Sequence, residues 1–311
     1  MSQIETSFVD PEGLTPAVYV KKDGVTYLFD CGRAVYPSKL AHSLKYLFLS
    51  HAHVDHLIGF DELLVMQLHA PDNHLTIFGP EGIADCIMHK INGYTWNLVG
   101  PEAIRIDVME MIGDSMARTS FSINGNLKGE RMETHPINDN IILRGADFVV
   151  KRIYLNHGIP SIGYAFLENN KLNVRTNVMK TRGFKGGPWI RRLKQAWQTG
   201  EHIPVEVHGK TYNTEELADL IEENKGFKMV FVTDFLWDEP TRQTLPQFAG
   251  GADILYCEAA YKDEDTELAR KNFHMTDSHA EELAQLASVK KLVKFHRSER
   301  YQKQAESNNE K

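Results

Sequence analysis

What this 311-residue chain has little of narrows it quickly. It has three cysteines, Cys31, Cys86 and Cys257, odd in number, far apart and outside any CxxC pattern. Neither a disulfide framework nor a thiolate zinc site is expected, and the three thiols read as small buried hydrophobes. No apolar run approaches the roughly 20 residues that a membrane-spanning helix needs. The opening MSQIETSFVDPEG has neither the basic nor the apolar part of a signal peptide, so the cytoplasm is the expected compartment and no membrane partner is expected. There is no repeat of fixed period, and the polar stretch 302–311 is the one biased segment. What remains is a globular composition, 42% hydrophobic and 25% charged, enough for one large α/β domain or two smaller ones.

Charge is unevenly spread. Between Lys171 and Gly200 stand eight basic residues (Lys171, Arg175, Lys180, Arg182, Lys185, Arg191, Arg192 and Lys194) and no Asp or Glu. The whole chain carries −7, so the other 281 residues carry −15. A basic island on an acidic body is the footprint of a polyanion contact, because each neutralised phosphate releases condensed counterions. A solvated surface arm would look the same in isolation. The surrounding region 169–211, rich in glycine and basic residues, is expected to protrude from the fold as an insertion.

Apolar and alternating runs predict strands over 17–20, 26–29 and 46–50, with Lys21 to Gly24 turning between the first two. Further strands are expected over 75–78, 104–109, 148–154, 163–167, 229–232, 254–257 and 291–296. Helices fit 59–68, 80–91, 214–222 and 278–288, the last with Ser278 and Glu281 at capping-box spacing.

The run Leu49-Ser50-His51-Ala52-His53-Val54-Asp55-His56 follows an apolar strand and precedes an amphipathic helix. Three imidazoles and a carboxylate this close together are costly to bury unpaired and form a metal-ligand set. If the turn leaves a strand end, His51 and His53 can face one side while Asp55 and His56 come round to the other, so that one loop serves two divalent cations. Three more candidates sit just past other strands: His157, Asp234 and His296. Each alone reads as a loop or cap residue; together they read as ligands drawn from strand ends.

At these residues the sequence resembles a known family. The HxHxDH run of residues 51–56 is similar to the signature of the metallo-β-lactamase fold, and later motifs resemble those of ribonuclease Z, the tRNA 3′-processing endonuclease. They include Leu28-Phe29-Asp30-Cys31-Gly32, the turn 78–82, His157 through Tyr164, residues 186–194, Cys257-Glu258-Ala259-Ala260-Tyr261, His274-Met275-Thr276 and His296 through Tyr301. Three places depart from the family pattern: Asp10 to Leu14 replaces a Gly-rich turn, Thr233-Asp234-Phe235 stands for Gly-Asp-Thr, and Cys257 stands for a histidine.

The resemblance implies an α/β fold, a four-layer αβ/βα sandwich of two mixed sheets, over residues 1–301, with a basic arm at about 169–211. It implies two divalent metal ions, zinc or else manganese. His51, His53 and His157 would hold one ion, Asp55, His56 and His296 the other, and Asp234 would bridge them. It places Asp55, Glu258 and His274 in the catalytic set, with His274 as general acid and Glu258 orienting it. Lys185, Arg191, Arg192, Lys194, Arg300 and Tyr301 would bind substrate, and Phe184 and Trp189 would offer aromatic surfaces beside the basic groups. The implied activity is endonucleolytic removal of 3′ trailers from precursor tRNA by a homodimer whose arm serves the partner's active site. Two other readings fit the same residues: a phosphodiesterase for cyclic nucleotides or other small diesters, and a metal-bearing RNA-binding protein without catalysis.

Overall fold

The structure, a computed structural model, describes residues 4–10, 15–70, 74–100, 103–123, 130–298 and 300–301. The stretch 302–311 and positions 11–14 of the expected N-terminal turn lie outside the described residues. The chain divides into two compact units, residues 1–167 with 227–311, and residues 168–226.

The larger unit begins with β1 (Glu5–Phe8), β2 (Val18–Lys22), β3 (Val25–Phe29), α1 (Ser38–Ser43), β4 (Leu44–Phe48), α2 (Val54–Leu57), α3 (Phe60–Gln67), β5 (His74–Pro80), α4 (Ile83–Asn92), β6 (Arg105–Ile112), β7 (Ser115–Ser122) and β8 (Glu130–Pro136). These eight strands lie side by side in chain order. β3 to β6 run parallel, and antiparallel neighbours flank them. The β2–β3 turn is tighter than expected: β2 runs through Lys22, and Asp23 and Gly24 alone reverse the chain at φ 51° and 79°. That matches the hairpin turn whose twist suits paired strands.

The second sheet begins with β9 (Ile141–Arg144), β10 (Phe148–Asn156) and β11 (Pro160–Glu168). The chain then forms the smaller unit with β12 (Lys171–Val174), α5 (Thr176–Thr181), α6 (Trp189–Thr199), β13 (Pro204–Val207), β14 (Lys210–Asn213), a 3-10 turn at Thr214–Leu220 and β15 (Ile221–Asn224). It re-enters the sheet through β16 (Lys228–Val232), α7 (Glu239–Ala249), β17 (Ile254–Glu258), α8 (Thr266–Lys271), α9 (Asp277–Leu286) and β18 (Leu292–Phe295). The spatial order is β18-β17-β16-β11-β10-β9.

Side-chain alternation within the strands builds the layers. In β3 and β4, Leu28 and Leu47 point to one face, where they pack with Leu40, Leu63 and Ile87 of the helices. Tyr27, Phe29 and Phe48 point to the other, where they meet Tyr164, Phe166 and Phe231 of the second sheet. That sheet alternates likewise, with Phe231 and Tyr256 inward and Val230, Val232 and Leu255 outward against Leu245 and Leu283 of α7 and α9. Strands buried on both faces read as continuous apolar runs, which makes them visible in sequence. The result is helices, sheet, sheet, helices, as expected.

Local details differ from expectation. The 214–222 segment is a 3-10 helix over Thr214–Leu220, opened by a capping box of Asn213 with Glu216, that passes into β15 because residues 221–224 pair with β12. The last helix is capped by Thr276 with His279, not by Ser278 with Glu281: the Thr276 hydroxyl accepts from the His279 N–H and the imidazole accepts from the Thr276 N–H. The smaller unit extends past the expected boundary at 211, since β12 finds its partner in β15 with Lys171 opposite Asn224. Trp189 does not present an open aromatic face. It is buried with Leu193, Leu217 and Leu220, because α6 puts Trp189, Leu193 and Ala196 on one stripe and leaves Arg191 and Arg192 exposed on the other.

Candidate metal centre

The chemistry-bearing residues stand just past the C-terminal ends of β3, β4, β10, β16, β17 and β18, and their side chains meet. His51, His56 and His157 each aim Nε2 at one oxygen, Asp234 Oδ2, at 3.6, 3.3 and 3.5 Å. His296 Nδ1 lies 3.2 Å from Asp234 Oδ1, while its Nε2 lies 3.0 Å from Asp55 Oδ2. His53 completes the first cluster, its ring 4.4 Å from that of His51 and 5.1 Å from that of His157. Asp30, Asp234 and His296 all take positive φ, 54°, 50° and 61°, so backbone strain is concentrated where the side chains must converge.

Residues behind the cluster fix which ring nitrogen faces inward. His157 Nδ1 donates to the Phe273 carbonyl at 2.9 Å, so its Nε2 presents a lone pair to Asp234. Asp30, wholly buried, takes the Ser50 N–H and hydroxyl, both at 2.7 Å, and meets His56 Nδ1 at 2.8 Å. The Ser50 hydroxyl oxygen in turn lies 2.9 Å from His51 Nδ1. One buried carboxylate thus orients an imidazole directly and a second through a serine. Gly32 lets this loop close on the histidine turn: a Cβ there would sit 2.7 Å from the Asp55 carbonyl. Asp30 and Ser50 lie within the motifs named above, but no orienting role was expected of them. The available signal was that Asp30 ends a strand adjacent and parallel to the one that delivers His51.

Electrostatics sharpen the picture. Burial, reinforced by the neighbouring His56, pushes His51 down to about 2, so it is a neutral donor at every ordinary pH. Burial and the nearby His157 lower His53 as well. Burial disfavours a charged His56, but Asp234 and Asp30 at its two nitrogens outweigh that and raise it well above the ordinary imidazole value. Burial would raise Asp234 and Asp55; the imidazoles of His296 and His56 hold both carboxyls below the usual range. Left to itself the centre draws positive charge to its carboxylates through protonated histidine.

Glu258 and His274 form a separate pair beside this centre. His274 Nδ1 is 2.9 Å from Glu258 Oε2, and the other glutamate oxygen accepts the Phe235 N–H at 2.8 Å. Burial opposes the charged form of His274, but the Glu258 charge and hydrogen bond lift its pKa to about 9. Arg300 lies 3.5 Å from Asp265. The Tyr301 ring is buried and its hydroxyl donates to Asp265 while accepting the Lys262 N–H, so that oxygen is already committed. Lys185, Arg191, Arg192 and Lys194 belong to the smaller unit, where the first three are exposed and Lys194 is half-buried. Cys31 and Cys257 are buried free thiols, as expected, whereas Cys86 is half-buried.

The donor set fits divalent cations. His51 Nε2, His56 Nε2 and His296 Nδ1 are buried without any hydrogen-bond partner. Donor atoms of His51, His53, His157 and Asp234 lie within 4.8 Å of one another, as do those of Asp55, His56 and His296. A further grouping of Asp234, Glu258, His274 and His296 meets the same distance. Its Glu258 oxygens, however, are already engaged by Phe235 and His274. Imidazole lone pairs aimed at a carboxylate repel it; protonated His56 can offset only part of this, and so many imidazole nitrogens converging on Asp234 and Asp55 make a donor set that divalent metal binding satisfies.

No family model matches the chain. It is similar to ribonuclease Z of Deinococcus radiodurans, 29% identical over 285 residues that cover 88% of this chain and 82% of that protein. Ribonuclease Z of Methanocaldococcus jannaschii is 29% identical over 290 residues, covering 91% and 80%. Among solved structures, human tRNase Z, short form, superposes with a TM-score of 0.55 at 20% identity, covering 97% of this chain and 94% of that one. The metallo-β-lactamase fold protein YhfI from Bacillus subtilis gives 0.54 at 13% identity, covering 95% and 87%. These structures establish the metallo-β-lactamase fold of the chain. Among the described residues no helix is long and apolar enough to cross a membrane.

Proposed function

We propose that this chain, a metallo-β-lactamase-fold hydrolase with ribonuclease Z homologues along most of its length, is a metal-dependent endoribonuclease that removes 3′ trailers from precursor tRNA. One observation carries the reading: three imidazoles from two sheets direct Nε2 at the same Asp234 oxygen. Such convergence supports a carboxylate that two ions could share.

His51, His53 and His157 would hold one ion and Asp55, His56 and His296 the other, with Asp234 common to both. Imidazole and carboxylate donors without thiolate favour zinc, and manganese fits the oxygen-richer set. When bound, the ions would supply Lewis acidity and lower the pKa of a coordinated water towards neutral.

The chain's own residues do the rest. His274, with a pKa of about 9, carries a proton at neutral pH. With Nδ1 held by Glu258, Nε2 is the atom left to protonate the departing 3′-oxygen. Glu258 keeps the ring in that orientation and keeps it charged. Asp30 and Ser50 hold the His56 and His51 rings for their ions. Lys185, Arg191, Arg192 and Lys194 are assigned to the RNA backbone, which needs charge without base reading. Arg300 is assigned to phosphate, and Tyr301 is kept beside it by its bond to Asp265.

A homodimer is also part of this reading, and it rests on the resemblance to the ribonuclease Z family. The expected compartment is the cytoplasm, where precursor tRNA would be met.

The decisive assay compares precursor tRNA with bis(p-nitrophenyl) phosphate in added zinc or manganese. Trailer release leaving a 3′-hydroxyl on the tRNA body is expected. Turnover of the small diester without any trailer release would replace the reading with a small-diester phosphodiesterase. Tight RNA binding with no hydrolysis of either would leave a binding protein.

A further inference from the structure

A groove of about 470 Å³ is lined by Glu81, Met111, Tyr154, Leu155, Ile159 and Pro160 among others. Its lining includes Asn156 and Gly158, the immediate chain neighbours of the candidate ligand His157, and this adjacency is what ties the groove to the centre. We propose that this groove is a nucleobase subsite for one of the two nucleotides flanking the scissile phosphate. The proposal rests on the endoribonuclease reading above and names a substrate contact that the metal centre itself does not supply.

The wall chemistry selects the ligand. Tyr154 is 40% exposed although it sits in β10, and Ile159 at the following turn is 42% exposed. The Tyr154 ring is fixed: its hydroxyl donates to the Met111 and Gly113 carbonyls at 3.2 Å, and the Arg152 guanidinium covers one side at 4.4 Å from the ring centre. A ring clamped at its hydroxyl and backed by a cation is a rigid, preorganised stacking platform. Arg152 is unavailable to a phosphate, being 2% exposed and bonded to the Gly113 carbonyl and to Asp114. The remaining charge at the rim is the exposed carboxylate of Glu81, which repels phosphate and can accept a hydrogen bond from a base. Apolar walls, one fixed aromatic ring and one acceptor fit a flat heterocycle and disfavour an anion.

Precursor tRNA carrying a single abasic nucleotide, placed on one or the other side of the cleavage point, tests this against the intact RNA. In the unaltered enzyme, one of the two abasic positions should lower kcat/KM about ten-fold, the order that base stacking on an aromatic supplies. The position that responds identifies which flanking base occupies the groove. In Tyr154→Ala the ratio of intact to abasic kcat/KM should fall towards one, while Tyr154→Phe should keep it. Because the ratio is internal to each variant, a general loss of activity does not mimic it. Should Tyr154→Ala not fold, Ile159→Ser at the exposed turn should also shrink the ratio. Indifference to both abasic positions overturns the subsite, as does an abasic penalty that survives unchanged in these variants; either result leaves the endoribonuclease reading intact. Failure to cleave even the intact RNA overturns both.

Discussion

Replacing Glu258 with Gln tests the proton-donor assignment most directly. The amide keeps the shape and its oxygen can still accept from His274 Nδ1, which now stands 2.9 Å from a glutamate oxygen, though its NH2 then replaces the acceptor of the Phe235 N–H; it removes the charge first among the causes that lift His274 to about 9. A raised imidazole pKa means that the acid form is present below that value and is lost as pH climbs through it. At pH 8 a group with a pKa of about 9 is roughly nine-tenths protonated, whereas one at the ordinary value of about 6.5 is roughly 3% protonated. Full loss of the Glu258 effect therefore lowers kcat/KM on RNA by about 30-fold at pH 8, and the alkaline limb of the pH profile moves to lower pH. At pH 6 the deficit should shrink to less than about two-fold, since His274 is then largely protonated in both proteins. Asp234 also raises His274, so the imidazole should not return all the way to its ordinary value. Bis(p-nitrophenyl) phosphate provides the control, because its weakly basic leaving group needs little protonation and should suffer much less. The reasoning fails if Glu258→Gln lowers activity equally at pH 6 and pH 8, or equally on both substrates.

Asp234→Ala should abolish turnover, lower the metal content of the isolated protein, and leave RNA affinity largely intact; unchanged turnover removes this residue from the centre. Arg191→Ala, Arg192→Ala and Lys194→Ala together should raise KM for RNA and flatten its dependence on salt, by about 0.7 in logarithmic slope for each phosphate of a single strand that is no longer neutralised. The same variant should spare the small diester, and equal losses on both substrates would show that these charges do not touch RNA. Removing metal with a chelator should lower Tm and adding zinc back should restore it, because a ligand bound by the folded state alone stabilises that state. A thermal midpoint indifferent to chelation would contradict binding at the clustered imidazoles.

The parts of the centre read from sequence share a local cause. His51, His53, Asp55 and His56 crowd one turn, and His157, Asp234 and His296 each follow an apolar strand, so alternation within the sheets predicted where they would emerge. Asp30 and Ser50 were harder, since an aspartate after a strand and a serine before a histidine are ordinary until the register of β3 and β4 places them face to face. The smaller unit was least legible. Its strands are four residues each, and the stripe that buries Trp189 consists of Trp189, Leu193 and Ala196 alone in a helix that also carries three basic residues. Tyr301 shows the limit from the other side: nothing in the sequence announced that its hydroxyl would be taken by Asp265, more than thirty positions upstream.

The junctions of residues 168–226 have an engineering consequence. The chain departs after β11 and returns in β16, strands that are already paired with Leu167 opposite Lys228, and a Cβ on Gly226 would run into the Glu168 carbonyl. Exit and return are pinned together by the host sheet, so the excursion behaves like a cartridge in a socket whose closure is set by the scaffold. A hairpin of a few residues grafted across the two points should leave a folded hydrolase without the basic residues assigned to RNA.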